Sequence, residues 1–341
     1  MKIYHLSHTD LDGYGAQYIT NFYFKDVKFL NSNYGREIDD KFAQILTEID
    51  ASNDDKNIIL ITDLNLTLAQ CESFTEMIDG KNIKLFLLDH HQSGAECASS
   101  YPWYFLDSSR CATKITYDFF AGIFGKNKEL EIFSDVVNAV DIWLKDDKNF
   151  EMGKVCLGLV ANAKEINKVM FEAENNLYMD HLLKEASKFF NEKNDYIGLD
   201  MQVHAIKKLF FKEDKDDTLS NLISSYVVKK LSENKEKFSI SYKDHKGILT
   251  YNIGNVSVIG NDFLVANPEF DFFIDVTNKK TLSFRANGKL DVSAMAKHLV
   301  GGGGHVNASG GLFANFKDGF SYEPIKAQII DLITKKTQEE I

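Results

Sequence analysis

The order of elements in this 341-residue chain predicts an α/β fold: a parallel sheet flanked by helices, then a smaller α/β domain with a mixed sheet, the two joined by a helical linker. Three observations predict it. Over the first half, short apolar runs alternate with helix-length amphipathic stretches at βαβ spacing, which implies parallel strands with right-handed crossovers. From about Lys235 the pattern changes to period-two segments between turn residues, the pattern of a mixed or antiparallel sheet. Between these halves the stretch 191–234 is rich in lysine and acid, is interrupted by Lys212-Glu213-Asp214-Lys215-Asp216-Asp217, and reads as a solvated helical connection. The expected domains are therefore 1–190 and 235–341, with 191–234 as the linker.

In chain order, residues 2–6 form a short first strand, and the polar turn from Ser7 to Gly15 leads into a helix from about Ala16. Residues 27–31 read as a second strand, 38–49 as an amphipathic helix, and 57–62 as a third, fully buried strand ending at Asp63. A helix is expected over 67–78. Leu85-Phe86-Leu87-Leu88 then suits a strand buried on both faces, ending at once in Asp89-His90-His91. Tyr104-Phe105-Leu106 is followed by Asp107-Ser108-Ser109, which offers capping residues before a helix to about Gly122. Residues 130–144 and 154–190 are helical by pattern. In the second domain, strands are expected over 238–242, 247–253, 257–259, 270–277 and 281–285. A helix over 292–299 runs into Gly301-Gly302-Gly303-Gly304-His305, and the chain then returns to the sheet over 308–316.

Hydrophobic residues make up 44% and charged residues 26%, the balance of an ordinary globular protein. The N-terminal stretch carries Asp10 and Asp12 and lacks an apolar signal core, and no apolar run is long enough to span a bilayer, so a cytoplasmic protein without membrane contact is expected. A net charge of −11 has the wrong sign for gripping long nucleic acid through its phosphates. Cys71, Cys97, Cys111 and Cys156 stand far apart with no Cys-x-x-Cys pair, which fits reduced packing thiols rather than a structural zinc site.

Three strand ends carry the chemistry. His8, Asp10 and Asp12 follow the first, Asp63 the third, and Asp89, His90 and His91 the next, and open α/β sheets bind ligands at such ends. Side by side they form an oxygen-rich, imidazole-containing cluster with more carboxylates than one metal needs. That donor set suits two hard or borderline cations, Mn²⁺ before Mg²⁺ or Co²⁺, bridged by a carboxylate. In the second domain four successive glycines allow close backbone approach, and their N–H groups can form an anion-binding nest beside His305.

His8-x-Asp10-x-Asp12-Gly13, Asp63 closing an apolar strand, Asp89-His90-His91 and Gly301-Gly302-Gly303-Gly304-His305 together resemble the DHH/DHHA1 phosphoesterase superfamily, and the resemblance reaches both ends of the chain. It implies that His8, Asp10 and Asp63 hold one cation while Asp12, Asp63, His90 and one further aspartate hold the other, with Asp63 as the bridge. Asp141, set among Ala139, Val140, Ile142 and Trp143, resembles the family's fourth motif and is costly to bury unless paired or coordinating, with Asp135 as the runner-up. Asp89 then orients a ligating histidine, and His91 faces the scissile phosphate. Arg285, Gly302, Gly303, Gly304 and His305 are expected to bind the far phosphate or base. Family members commonly have Arg-Ser where this chain has Arg285-Ala286.

The implied activity is a two-metal phosphodiesterase that cleaves short oligoribonucleotides or linear and cyclic dinucleotides, bound across the two domains. The expected partners are those small substrates, with no stable long nucleic-acid complex and with a homodimer allowed for. The rival readings are a 3′-phosphoadenosine 5′-phosphate phosphatase and a non-catalytic nucleotide sensor. A processive exonuclease resembles a longer chain with an added nucleic-acid-binding fold, and the family's pyrophosphatases carry a different second domain. A sensor should have lost a metal ligand, and none is missing here.

Overall fold

The structure, a computed structural model, describes residues 1–52, 56–190 and 195–339. It divides into two compact units, Met1–Ala163 with Asn176–Ile206, and Lys164–Asn175 with Lys207–Ile341. The stretch expected to link two domains thus contributes residues to both.

The first unit is built on five parallel strands: β1 (Lys2–Ser7), β2 (Val27–Asn31), β3 (Asn57–Thr62), β4 (Ile83–Asp89) and β5 (Tyr104–Leu106), in the order β2-β1-β3-β4-β5. Helices α1 (Leu11–Tyr23), α2 (Arg36–Asp50), α3 (Leu68–Ile78) and α4 (Ala95–Ser100) alternate with them. They are followed by α5 (Ala112–Phe124), α6 (Lys128–Asp141) and α7 (Phe150–Ala161), while α8 (Glu172–Ser187) and α9 (Tyr196–Phe211) carry residues of both units. The period of two decides which face each strand residue meets. Tyr4 and Leu6, Ile59 and Ile61, and Ile83, Leu85 and Leu87 share one core with Ile38, Phe42 and Ile45 of α2 and Phe74 of α3. There the rings of Phe42 and Phe74 stack at 3.8 Å. The capping box at Thr67 and Gln70 sets the start of α3.

The second unit holds α10 (Leu219–Glu233), α11 (Lys235–Phe238), α12 (Val256–Ala266), α13 (Val292–Val300) and α14 (Tyr322–Gln338). Its mixed sheet of β6 (Ser239–Tyr242), β7 (His245–Tyr251), β8 (Phe272–Val276), β9 (Thr281–Ala286), β10 (Gly303–His305) and β11 (Ala308–Leu312) has the order β10-β11-β9-β8-β7-β6. Only the β7–β8 pair is parallel. The α/β class with a parallel and a mixed sheet is therefore as expected.

Four local expectations differ. Residues 257–259 belong to the first turn of α12, because Ile259, Phe263 and Leu264 bury at helical rather than alternate spacing. Strand β4 is not covered on both faces: Phe86 is 38% exposed while Leu85 and Leu87 are buried. The expected helix over 154–190 is interrupted between Ala161 and Glu172, where the Asn167 side chain accepts from the backbone N–H groups of Val169 and Met170 and builds a turn. The chain after β11 adds α14, which the residue pattern had not marked.

One buried acid in β8 has a consequence for stability. Asp275 is fully buried, its Oδ1 accepts from Thr250 Oγ1 at 2.8 Å and Ile253 N at 3.3 Å, and its Oδ2 has no partner among the described residues. Burial raises its pKa from 3.8 to about 7. The folded form thus holds a proton that the unfolded chain releases, so stability is full at low pH and declines as pH rises from about 4 to 7. The decline amounts to about 4 kcal/mol at ~1.4 kcal/mol per unit. Asp275→Asn should lack this contribution, and its stability relative to wild type should climb over the same interval in urea melts. A difference that stays constant with pH would show that Asp275 is ionised in the fold.

Candidate active site

The strand order places a topological switch between β1 and β3, from which the chain leaves toward opposite neighbours, and open α/β sheets bind ligands at such points. His8, Asp10 and Asp12 stand just beyond β1, Asp63 just beyond β3, and Asp89 ends β4. Asp10 is the N-cap of α1 and accepts from Gly13 N at 3.0 Å. A Cβ on Gly13 would come within 2.3 Å of the His8 carbonyl oxygen, so only glycine lets α1 start this close to β1. Asp12 is buried, and its two oxygens accept from Ala112 N and Thr113 N, each at 2.7 Å, at the N-terminus of α5. Those N–H groups orient the carboxylate and stabilise its charge. Asp63 adopts φ +55°, which non-glycine residues seldom occupy, with its N–H donating to Leu88 O at 3.2 Å.

Two sets of donors result. His8 Nδ1 lies 2.9 Å from Asp10 Oδ2 and 3.6 Å from Asp63 Oδ2. His90 Nε2 lies 3.4 Å from Asp63 Oδ1, 3.6 Å from Asp141 Oδ2 and 3.7 Å from Asp12 Oδ2. One carboxylate, Asp63, therefore offers one oxygen to each set. Ligands about 2.1 Å from an octahedral cation stand about 3 Å apart, near the His8–Asp10 separation, while the contacts of 3.4 to 3.7 Å are longer than most hydrogen bonds. Buried His8 Nδ1 and Asp63 Oδ2 make no hydrogen bond of good geometry to a described residue. Donor types, spacing and unsatisfied atoms all fit divalent cations.

The electrostatics agree. Burial together with the charge of Asp12 pushes the Asp63 carboxyl well above its usual range, and the same two causes raise Asp141 to about 8. Burial opposes charge on His8, but Asp10 and Asp63 outweigh it and hold its pKa at about 10; burial likewise opposes charge on Asp10, but His8 outweighs it and leaves Asp10 at about 2. Without a cation these carboxylates repel, and a bound pair would relieve them.

Asp89 is fully buried, with Oδ1 2.7 Å from His91 Nδ1 and Oδ2 accepting from Tyr104 OH at 2.8 Å. The histidine it orients is thus His91, not the ligating His90, because the Asp89 carboxylate reaches the His91 ring. That hydrogen bond, against opposing burial, raises the His91 pKa. Asp135 faces away from the cluster in an ion pair with Lys114 at 2.7 Å. Sequence reasoning missed Cys111, whose Sγ lies within 4.8 Å of ligand atoms of Asp12 and Asp141, and Tyr34, whose hydroxyl is 3.0 Å from His91 Nε2. No spacing signal marks either, since each is brought in by a loop.

The residues expected to bind substrate lie in the second unit. Arg285 on β9 donates through Nη2 to Ser257 Oγ at 2.8 Å, at the start of α12. Gly301 closes α13 in the left-handed region, Gly302 N donates to Ala296 O, and Gly303, Gly304 and His305 form the edge strand β10 against β11. The glycine run is thus a helix cap continued by an edge strand rather than an open loop.

No protein-family model matches the sequence. The chain is 41% identical to a 3′,5′-cyclic-nucleotide phosphodiesterase of Helicobacter pylori, over 97% of this chain and 99% of that one. The chain belongs to the same phosphoesterase family as that relative. A crystal structure of an uncharacterized protein from Helicobacter pylori G27 matches this phosphoesterase with a TM-score of 0.92 and 40% identity, over 98% of this chain and 99% of that one. Among the described residues of the phosphoesterase no helix is long and apolar enough to cross a membrane.

Proposed function

We propose that this phosphoesterase is a two-cation phosphodiesterase for small nucleotide phosphodiesters, with 3′,5′-cyclic nucleotides first and linear or cyclic dinucleotides and short oligoribonucleotides after them. The observation that carries the cation count is Asp63, whose Oδ2 faces His8 and Asp10 while its Oδ1 faces His90, near Asp12 and Asp141. The order of substrates follows the relative's activity on cyclic nucleotides.

His8, Asp10 and Asp63 would hold one cation, and Asp12, Asp63, His90 and Asp141 the other, with Mn²⁺ favoured by the mixture of carboxylate and imidazole. When bound, the pair supplies Lewis-acid neutralisation of charge that develops on the phosphate. The protein's own groups do the rest. Asp89 holds His91 through Nδ1, so Nε2 is presented to a phosphate oxygen, to which the charged ring can donate. Arg285 is assigned to a second anionic group of substrate. Arg285→Ala should raise KM for a dinucleotide by about 10- to 100-fold and leave kcat within a few-fold.

The reading is tested by a turnover panel at fixed Mn²⁺, Mg²⁺ or Co²⁺, offering cyclic mononucleotides, cyclic and linear dinucleotides, five-nucleotide RNA and 3′-phosphoadenosine 5′-phosphate. Cation-dependent opening of a cyclic phosphodiester is expected. Turnover of the bisphosphate alone would make the protein a monoesterase, and binding without turnover would make it a sensor.

A further inference from the structure

Tyr34 reaches the site from the loop Ser32-Asn33-Tyr34-Gly35 after β2, a segment to which the chemistry above gives no part. The loop is pinned on both sides. Ser32 N donates to Ser7 O at 2.9 Å, Thr9 Oγ1 donates to Asn33 Oδ1 at 3.1 Å, and Asn33 Nδ2 donates to Glu37 Oε2 at 2.8 Å. Gly35, at φ +83°, turns the chain into α2. Tyr34 itself is 43% exposed. Its ring centroid lies 4.7 Å from that of His8 and stands edge-on to His91 at 5.6 Å, and its hydroxyl is 3.0 Å from His91 Nε2.

We propose that Tyr34 is a positioning residue that holds the His91 ring with Nε2 aimed at the reacting phosphate until the substrate takes over that hydrogen bond. The inference rests on the reading that His91 acts at the phosphate. Buried Asp89, anchored by Tyr104, grips only Nδ1, and a ring held at one nitrogen can still swing about that bond. The Tyr34 hydroxyl supplies the second point. It can donate to Nε2 of a neutral ring or accept from Nε2–H of a charged one, so it serves both protonation states. A phosphate oxygen makes the same contact at the same kind of distance. Because Tyr34 is exposed, its hydroxyl can give way to that oxygen without opening the core, and the histidine enters the reaction already oriented.

A double-mutant cycle of Tyr34→Phe and His91→Ala tests this, with a 3′,5′-cyclic nucleotide as substrate, cation content measured on each protein, and the ¹⁵N resonance of His91 Nε2 recorded on the cation-free protein. Tyr34→Phe keeps the ring beside His8 and removes only the hydroxyl. It should lower kcat about 10-fold, leave KM and cation content unchanged, and shift the Nε2 resonance. In the His91→Ala background the same substitution should cost nothing further. Full additivity, or a loss confined to KM, would mean that Tyr34 acts on substrate directly, and would overturn the positioning role while leaving that of His91 standing. If His91→Ala itself keeps wild-type kcat, the underlying reading of His91 fails and the Tyr34 role falls with it.

Discussion

Asp63→Asn should abolish turnover, by three orders of magnitude or more, and lower the occupancy of both cations together. Each Asp63 oxygen faces a different donor set, so neutralising the carboxylate removes charge and a ligand atom from both. A residue serving one cation would cost one equivalent in metal analysis, whereas this one should cost two. Asparagine is the informative substitution because it tolerates positive φ, which removes backbone strain as an explanation. The same change should raise the melting temperature of the chelator-treated protein. In the absence of cations a buried carboxyl crowded by Asp10, Asp12 and Asp141 is a source of repulsion, and an amide is not. Two tightly bound cations in Asp63→Asn would remove it from the bridge.

His91→Ala should instead lower kcat by about 10²-fold while both cations stay bound. His91 Nδ1 is committed to Asp89 and its Nε2 to the Tyr34 hydroxyl, so neither nitrogen is needed by the two donor sets. The competing possibility is specific: His91, His90 and Asp63 also have ligand atoms within 4.8 Å of one another. Loss of a cation from His91→Ala would make His91 a ligand, and the division of labour between the two histidines would have to be redrawn.

Much of the site was legible because its residues are local to strand ends. An apolar run that stops at Asp63 or at Asp89-His90-His91 marks a buried strand meeting solvent, and Asp-x-Asp-Gly after β1 marks a helix start tight against that strand. Asp141 was legible for a different reason, as an acid among apolar residues that needs a partner. The extra turn at Asn167 and the helix over 257–259 were missed because short apolar stretches do not distinguish strand from helix until their neighbours are known.

By itself, then, the sequence determined the α/β class, the donor inventory and the strands that present it, since these follow from period and residue type within a few positions of one another. Only the tertiary structure decided who meets whom. Strand order 2-1-3-4-5 brought Asp63 between His8 and His90. The N-terminus of α5, about a hundred residues downstream, fixed Asp12 and carried Cys111 beside it. The loop after β2 set Tyr34 against His91. Such contacts depend on how the sheet is ordered and on which face each helix crosses, and no local pattern in the chain encodes either.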